Sequence, residues 1–355
     1  MAGDLGPGRW AANDTSPGEI EAALRELLKE RFAEHETFAP ARVLNLVVVA
    51  DDEWKGEIQN RLDRVGRNHA SRTILLAVEP GRTTLSAHAE LNVDDVDKSG
   101  EMVAGTEQIT IACGERHLAG LDSIVDPLVV TDLATVIWAP HGHRQGLDSL
   151  LSLAQIVLID SVNEPDSASA VQRAQELAKE AYVVDLAWLR STPWRERVAA
   201  SFDPPIWREE LRRISSVTVR HRPDSGTAAV LFFGWLAARL GWHCESLVGQ
   251  DGSRFGKARG KRGEVTLEME PDATMSAPGL AGVTVETASG MSLSLDRGPG
   301  GLAATRTLAD GRKTSFTVMG ASRGEAGILG EGIRQALLRD PTYAPALEAA
   351  ASMLH

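Results

Sequence analysis

Cysteine is nearly absent: Cys113 and Cys244 are the only two in 355 residues. A disulfide scaffold is therefore excluded, and the usage suits a reducing compartment. Aromatic residues make up 5% of the chain, with two tyrosines against eight tryptophans. No apolar run approaches the roughly 18 residues of a membrane span. Met1–Trp10 lacks a basic stretch followed by an apolar one, so no signal peptide is expected and the expected location is cytoplasmic. Basic charge is also short: 37 Lys and Arg face 49 Asp and Glu, giving −12 and a pI near 5.3. Such a chain is a poor ligand for nucleic acid unless a local basic patch exists. What is present is a globular composition, 43% hydrophobic and 24% charged, long enough for about two domains.

Residues 1–15 are Gly-rich and polar and read as a flexible N-terminus. Ser16-Pro17-Gly18-Glu19 places Ser at an N-cap, Pro at N1 and Glu at N3, the start of a helix carrying Ile20, Leu24, Leu27 and Leu28. Buried strands follow at 42–50 and 73–78, with an amphipathic helix between them, which is an α/β alternation. A hairpin near 85–111 extends the sheet, and strands at 135–138 and 155–160 alternate with short helices. These make an N-terminal α/β domain with a mixed sheet over 16–205, ending in a Trp- and Arg-rich connector. A C-terminal α+β domain over 206–355 opens with a strand at 214–220 and an apolar helix at 227–240. Gly-punctuated antiparallel strands then run to 319, and two helices close the chain.

Gly320-Ala321-Ser322-Arg323-Gly324 matches G-x-S-x-G between a strand and a helix. The acid and histidine of a hydrolase must follow it, and His355 is the sole later histidine. The alternatives are an anion site, with Ser322, Arg323 and Gly324 at a helix N-terminus, or a plain turn. Gly298–Ala303 fits G-x-G-x-x-A but lies between alternating segments and reads as a hairpin turn. Gly256-Lys257 lacks the first glycine and the hydroxyl of a phosphate loop. The basic stretch 251–263 reads as a solvated loop, or as a contact for an acidic partner or a phosphate. His141 and His143, or Cys113 and His117, lack further ligands at a supporting spacing, so no metal site is expected. Trp188, Trp194 and Trp207 beside Arg190, Arg195, Arg197 and Arg208 are either interface anchors or internal glue.

Several segments, in order, resemble the OpcA family, the glucose-6-phosphate dehydrogenase assembly proteins. They are RVLNLVVVADD (42–52), RVGRNHASRTILL (64–76), IVDPLVVTDLATVIWAP (124–140), LSLAQIVLIDS (151–161), DLAWLRSTPWRERVAASFDPP (185–205), AVLFFGWLAARLGW (229–242) and DPTYAPALEAA (340–350). Ala134 stands where the family has proline, and its paired tryptophans are reduced to Trp138-Ala139. The resemblance implies a protein that is not an enzyme and carries no cofactor. It would bind glucose-6-phosphate dehydrogenase and promote its active oligomer in the oxidative pentose phosphate pathway, with contacts among Arg72, Trp138, Trp188, Trp194 and Arg195. The alternative is a sensor or enzyme that binds a phosphorylated metabolite at Ser322–Gly324.

Overall fold

The computed structural model describes residues 3–4, 8–34, 42–66, 70–93, 105–250, 252–298, 301–319 and 324–355. They form two compact units. The first holds residues up to 159 together with 180–184, and the second holds 160–179 and 185–355. The boundary expected after residue 205 is therefore displaced. Among the described residues no helix is long and apolar enough to cross a membrane.

The first unit is one sheet. Its strands are β1 (Gly3–Asp4), β2 (Arg9–Thr15), β3 (Leu44–Asp51), β4 (Ser71–Val78), β5 (Leu85–Val93), β6 (Gly105–Cys113), β7 (Thr135–Trp138), β8 (Ile156–Ile159) and β9 (Tyr182–Asp185). Their order across the sheet is β1-β2-β5-β6-β4-β3-β7-β8-β9. Strands β6, β4, β3, β7 and β8 are mutually parallel neighbours, whereas β5, β2 and β1 add antiparallel. Leu44–Ala50 is buried throughout, which is why it reads as an unbroken apolar run. From β6 to β9 the order is that of the doubly wound dinucleotide-binding fold. Helix α1 (Pro17–Glu34) starts at the expected capping box: the Ser16 N–H donates to Glu19 Oε2 at 2.9 Å. Helix α2 (Lys55–Gly66) is the crossover that parallel β3 and β4 require. Asn45, fully buried on β3, donates to the Val130 carbonyl at 3.0 Å and accepts from the Val130 N–H at 2.9 Å, which fixes the approach to β7. Short helices α3 (Leu121–Val125) and α4 (Arg144–Ser149) flank β7.

Part of the N-terminus expected to be flexible is instead strand β2. It pairs antiparallel with β5, and Arg9 Nε donates to Glu90 at 2.8 Å. Its side chains are half-buried or exposed, so the ladder rather than apolar burial holds it.

The second unit begins with helices α5 (Ser167–Leu177), α6 (Leu186–Arg190), α7 (Thr192–Phe202) and α8 (Pro205–Arg208). Next come β10 (Ile214–His221), helix α9 (Gly226–Leu240), β11 (His243–Cys244) and β12 (Val248–Gln250). Strands β13 (Ser253–Gly260), β14 (Gly263–Pro271), β15 (Leu280–Thr287), β16 (Ser292–Gly298), β17 (Gly301–Thr307) and β18 (Lys313–Met319) complete the sheet. Helices α10 (Gly324–Leu338) and α11 (Tyr343–Ser352) end the chain. The sheet runs β11-β13-β14-β10-β15-β16-β17-β18, with β12 beside β13; among the described residues β10 and β14 pair parallel and the other neighbours antiparallel. Apolar α9 is buried along most of its length and packs on α11, α5, β10 and β14. Because α5 packs on α9 and α11, and α6 on α9 and α10, residues 160–179 and the expected connector 185–205 belong to this second unit.

The basic stretch expected as a loop is mostly strand β13, paired with β14. Its inward residues are Gly256 and Ala258, too small to register as an apolar alternation. Gly298 faces Gly301 in the β16–β17 ladder, so the G-x-G-x-x-A match is a hairpin.

Candidate functional site

In a doubly wound sheet the functional crevice lies beyond the carboxyl ends of the strands where the order reverses, here between β3 and β7. A dinucleotide site needs a glycine-rich turn after the first of these strands, so that backbone N–H groups can approach a pyrophosphate. Here β3 instead ends on Asp51 and runs into the turn Asp52-Glu53-Trp54. Trp54 stacks on His141 with ring centroids 4.4 Å apart and planes 20° from parallel. His141 Nε2 lies 3.7 Å from Glu57, and His143 Nε2 lies 3.5 Å from Asp51. Burial pushes the His141 pKa down, and Glu57 opposes that shift. His143 Nδ1 accepts from the Gly146 N–H at 3.2 Å and so caps α4. A Cβ on Gly146 would fall 2.7 Å from Val49, so α4 sits directly on β3. The crevice thus presents carboxylates and a stacked indole where a pyrophosphate would need amides, an arrangement that repels anions.

The histidines singled out from sequence do converge with carboxylates. Among the described residues, however, no group of three or more His, Cys, Asp or Glu is placed to hold a metal. Cys113 and Cys244 are both free, and burial pushes each thiol up to about 11. Neither is a nucleophilic thiolate at neutral pH.

The residues expected to contact a partner lie inside their units. Arg72 on β4 donates to Glu107 at 2.7 Å and to the Leu128 carbonyl at 2.8 Å, and Arg42 closes on the same buried carboxylate. Trp138 ends β7 at 1% exposure, and its Nε1 has no hydrogen-bond partner among the described residues. Trp188 is 2% exposed and donates from Nε1 to Asp340 at 2.9 Å. The Arg195 guanidinium lies 3.4 Å above the Trp188 ring, and burial lowers its pKa to about 10 against the pull of Asp340. Trp194 is 1% exposed. Trp188 on α6 and Arg195 on α7 thus pack as a buried stacked pair within the second unit, while Trp138 is buried in the first. Ser322 and Arg323 lie outside the described residues, and Gly324 opens α10.

Sequence patterns did not single out the open face of the second sheet. One row crosses seven strands in register: Phe255, Glu268, Thr218, Thr284, Ser294, Thr305 and Ser315. These side chains are half-buried or exposed, alternating with the buried ones beneath them. Gly282 has no Cβ, which lets Arg220 reach across β15 to Asp296. At one edge Phe255, 60% exposed, faces exposed Val248 on β12. The signal for this face was the alternation of Ser292 and Ser294 with buried leucines along β16, continued by Thr305 and Thr307 on β17.

Comparison with known proteins gives two matches to family models. Residues 62–176 match the model described as the glucose-6-phosphate dehydrogenase subunit N-terminal domain, and residues 181–347 match that of the C-terminal domain. Curated relatives named "Putative OxPP cycle protein OpcA" come from Synechococcus elongatus, at 27% identity over 140 residues, and Synechocystis, at 29% over 141. Each match covers 38% of this chain, and they cover 32% and 30% of the relatives, so the matched part spans about a third of those proteins. Solved structures with a similar course include an oxidoreductase domain protein from Kribbella flavida, at 12% identity and TM-score 0.45 over 87% of this chain and 95% of that one. The WlbA dehydrogenase of Thermus thermophilus gives 13% and 0.44 over 87% and 94%, and scyllo-inositol dehydrogenase of Lactobacillus casei 12% and 0.44 over 89% and 96%. At these scores the likeness carries no argument. The paired domain models, together spanning most of residues 62–347, establish that this chain belongs to the OpcA family of glucose-6-phosphate dehydrogenase assembly proteins.

Proposed function

We propose that the chain is a non-catalytic partner of glucose-6-phosphate dehydrogenase that favours the enzyme's active oligomer. The observation that carries this reading is the succession of both subunit-domain matches along one chain. The acidic stretch Asp51–Glu53 supports the non-catalytic part, since it sets charge against a pyrophosphate where the doubly wound fold would hold one. A partner acts on an oligomer only through its differential affinity for the two states. About 1–3 kcal/mol of coupling changes the balance roughly 5- to 150-fold.

The open face of the second sheet is the docking surface in this reading. Seven strands about 4.8 Å apart and three rows about 6.8 Å apart span roughly 700 Å². That is close to the roughly 800 Å² per partner of a stable interface. Its middle row carries the hydroxyls of Thr218, Thr284, Ser294, Thr305 and Ser315 beside the Arg220–Asp296 ion pair, and its edge offers the Val248–Phe255 apolar pair. The test mixes the purified chain with the dehydrogenase of its own cell and follows co-elution and kcat. Co-elution with a raised kcat is expected, and Thr284→Arg, in the middle of the face, should abolish both. Separate elution with unchanged kinetics overturns the proposal.

A further inference from the structure

The second unit holds a cleft of about 430 Å³ between the β13–β14 turn and the end of α9. Its lining combines the buried Ile214 and Val265 and the half-buried Leu240 and Trp242 with the cations Arg212, Arg239, Lys261 and Arg262. Glu209 lies 3.5 Å from Arg212 and 3.2 Å from Arg262. Arg239 and Lys261 have no carboxylate partner among the described residues. A chain of net charge −12 thus gathers four cations around one concavity. Glu209 offsets one of these charges; the excess that is left favours an anion in the cleft.

The turn is built to present that charge. Gly260 faces Gly263, which leaves Lys261 and Arg262 at the tip of a two-residue hairpin. A Cβ on Gly260 would lie 3.2 Å from Trp242 Cδ1 and Nε1, so glycine there lets the indole close against the turn. The C-terminal end of α9 carries partial negative charge, about half an elementary charge. Its Ala237 carbonyl is occupied by the Trp242 N–H at 3.0 Å, and the four rim cations outweigh the remainder.

We infer that this cleft binds a nucleoside phosphate, with the phosphates on the cationic rim and the base against Trp242. The volume falls in the range of small-molecule sites, about 300–1,000 Å³, which favours a metabolite over an acidic peptide. An indole and an apolar lining have no use for a bare phosphate, whereas a planar base covers them. The inference does not depend on the partner reading and is tested on the isolated full chain.

Titration calorimetry with ADP, glucose 6-phosphate, inorganic phosphate and adenosine provides the test. Saturable ADP binding is expected, tighter than for the other three probes and weakened by added salt. Lys261→Glu with Arg239→Glu should weaken it roughly tenfold or more. Trp242→Ala should bring the ADP affinity down to that of inorganic phosphate. Lys179→Glu, an exposed charge change on the segment after α5, should leave it unchanged. No saturable ADP binding, binding that survives the Lys261/Arg239 double change, equal loss in Lys179→Glu, or tighter binding of any other probe overturns the inference.

Discussion

Asp185 is wholly buried and accepts hydrogen bonds from Ser161 N at 3.2 Å, Ala187 N at 2.9 Å and Tyr343 at 3.5 Å, with the Ser161 hydroxyl closer still. Burial, aided by the Asp160 charge, lifts its pKa to about 6 despite those donors. The folded chain therefore holds this proton more tightly than the unfolded one, whose carboxyl titrates near 4. Asp185 contributes stability at low pH that is lost as pH rises from about 4 to 6, a change of order 2–3 kcal/mol. Asp166, Asp224 and Asp340 are held below the usual carboxylate range and act in the opposite direction, so the raw profile mixes the two. The difference in urea midpoint between wild type and Asp185→Asn isolates the effect: wild type should lose ground to the variant between pH 4 and 6, and a flat difference would refute the assignment. Glu107 poses a simpler case. It is fully buried between Arg42 and Arg72, and Glu107→Ala would leave Arg72 nearly buried without its carboxylate. Equilibrium unfolding should show a loss of about 3–5 kcal/mol. Neither role was legible in the sequence. The cluster of Trp188, Trp194 and Trp207 with Arg190, Arg195, Arg197 and Arg208 was visible, but the same indoles and guanidinium groups suit an interface as well as a core, and only the surrounding packing decides.

Among the elements, those that bury bulky residues were readable: β3, β4, α1 and α9 each carry an apolar run or a capped helical period. Strands β2 and β13 were not, since the former buries little and the latter turns only Gly256 and Ala258 inward. Short β9, four residues, gave too brief a pattern. Helix α9 also hides a constraint that propensity would misjudge. Alanine is favoured over glycine inside a helix by about 1 kcal/mol. Yet a Cβ on Gly234 would lie 2.1 Å from the Ala346 carbonyl oxygen, a backbone atom of α11 that cannot step aside. Overpacking costs about 1–3 kcal/mol and here involves backbone, so the clash wins. Gly234→Ala should lower Tm, whereas Gly18→Ala in α1, where nothing lies within 4 Å, should raise it or leave it unchanged.

At the scale of the whole molecule, the composition change near residue 205 marks no fold boundary. The chain enters the second unit at 160, returns to the first for 180–184 and leaves again at 185. A cut at 205 removes α5, α6 and α7 from the core that α9 and α11 build, together with the Trp188–Asp340 and Arg195–Asp340 contacts. A cut at 160 keeps every one of them and carries along only the short strand 182–184 that belongs to the other sheet. Burial of α9 on both α5 and α11 is what makes the difference, because a helix apolar on nearly all sides has no stable solvent-exposed state. Fragment 160–355 should therefore unfold cooperatively on heating, followed by circular dichroism at 222 nm. Fragment 206–355 should aggregate or melt without a transition. Cooperative melting of the shorter fragment would mean that the strands β10–β18 and their own helices suffice as a core, and that the segment 185–205 is the connector its composition suggests.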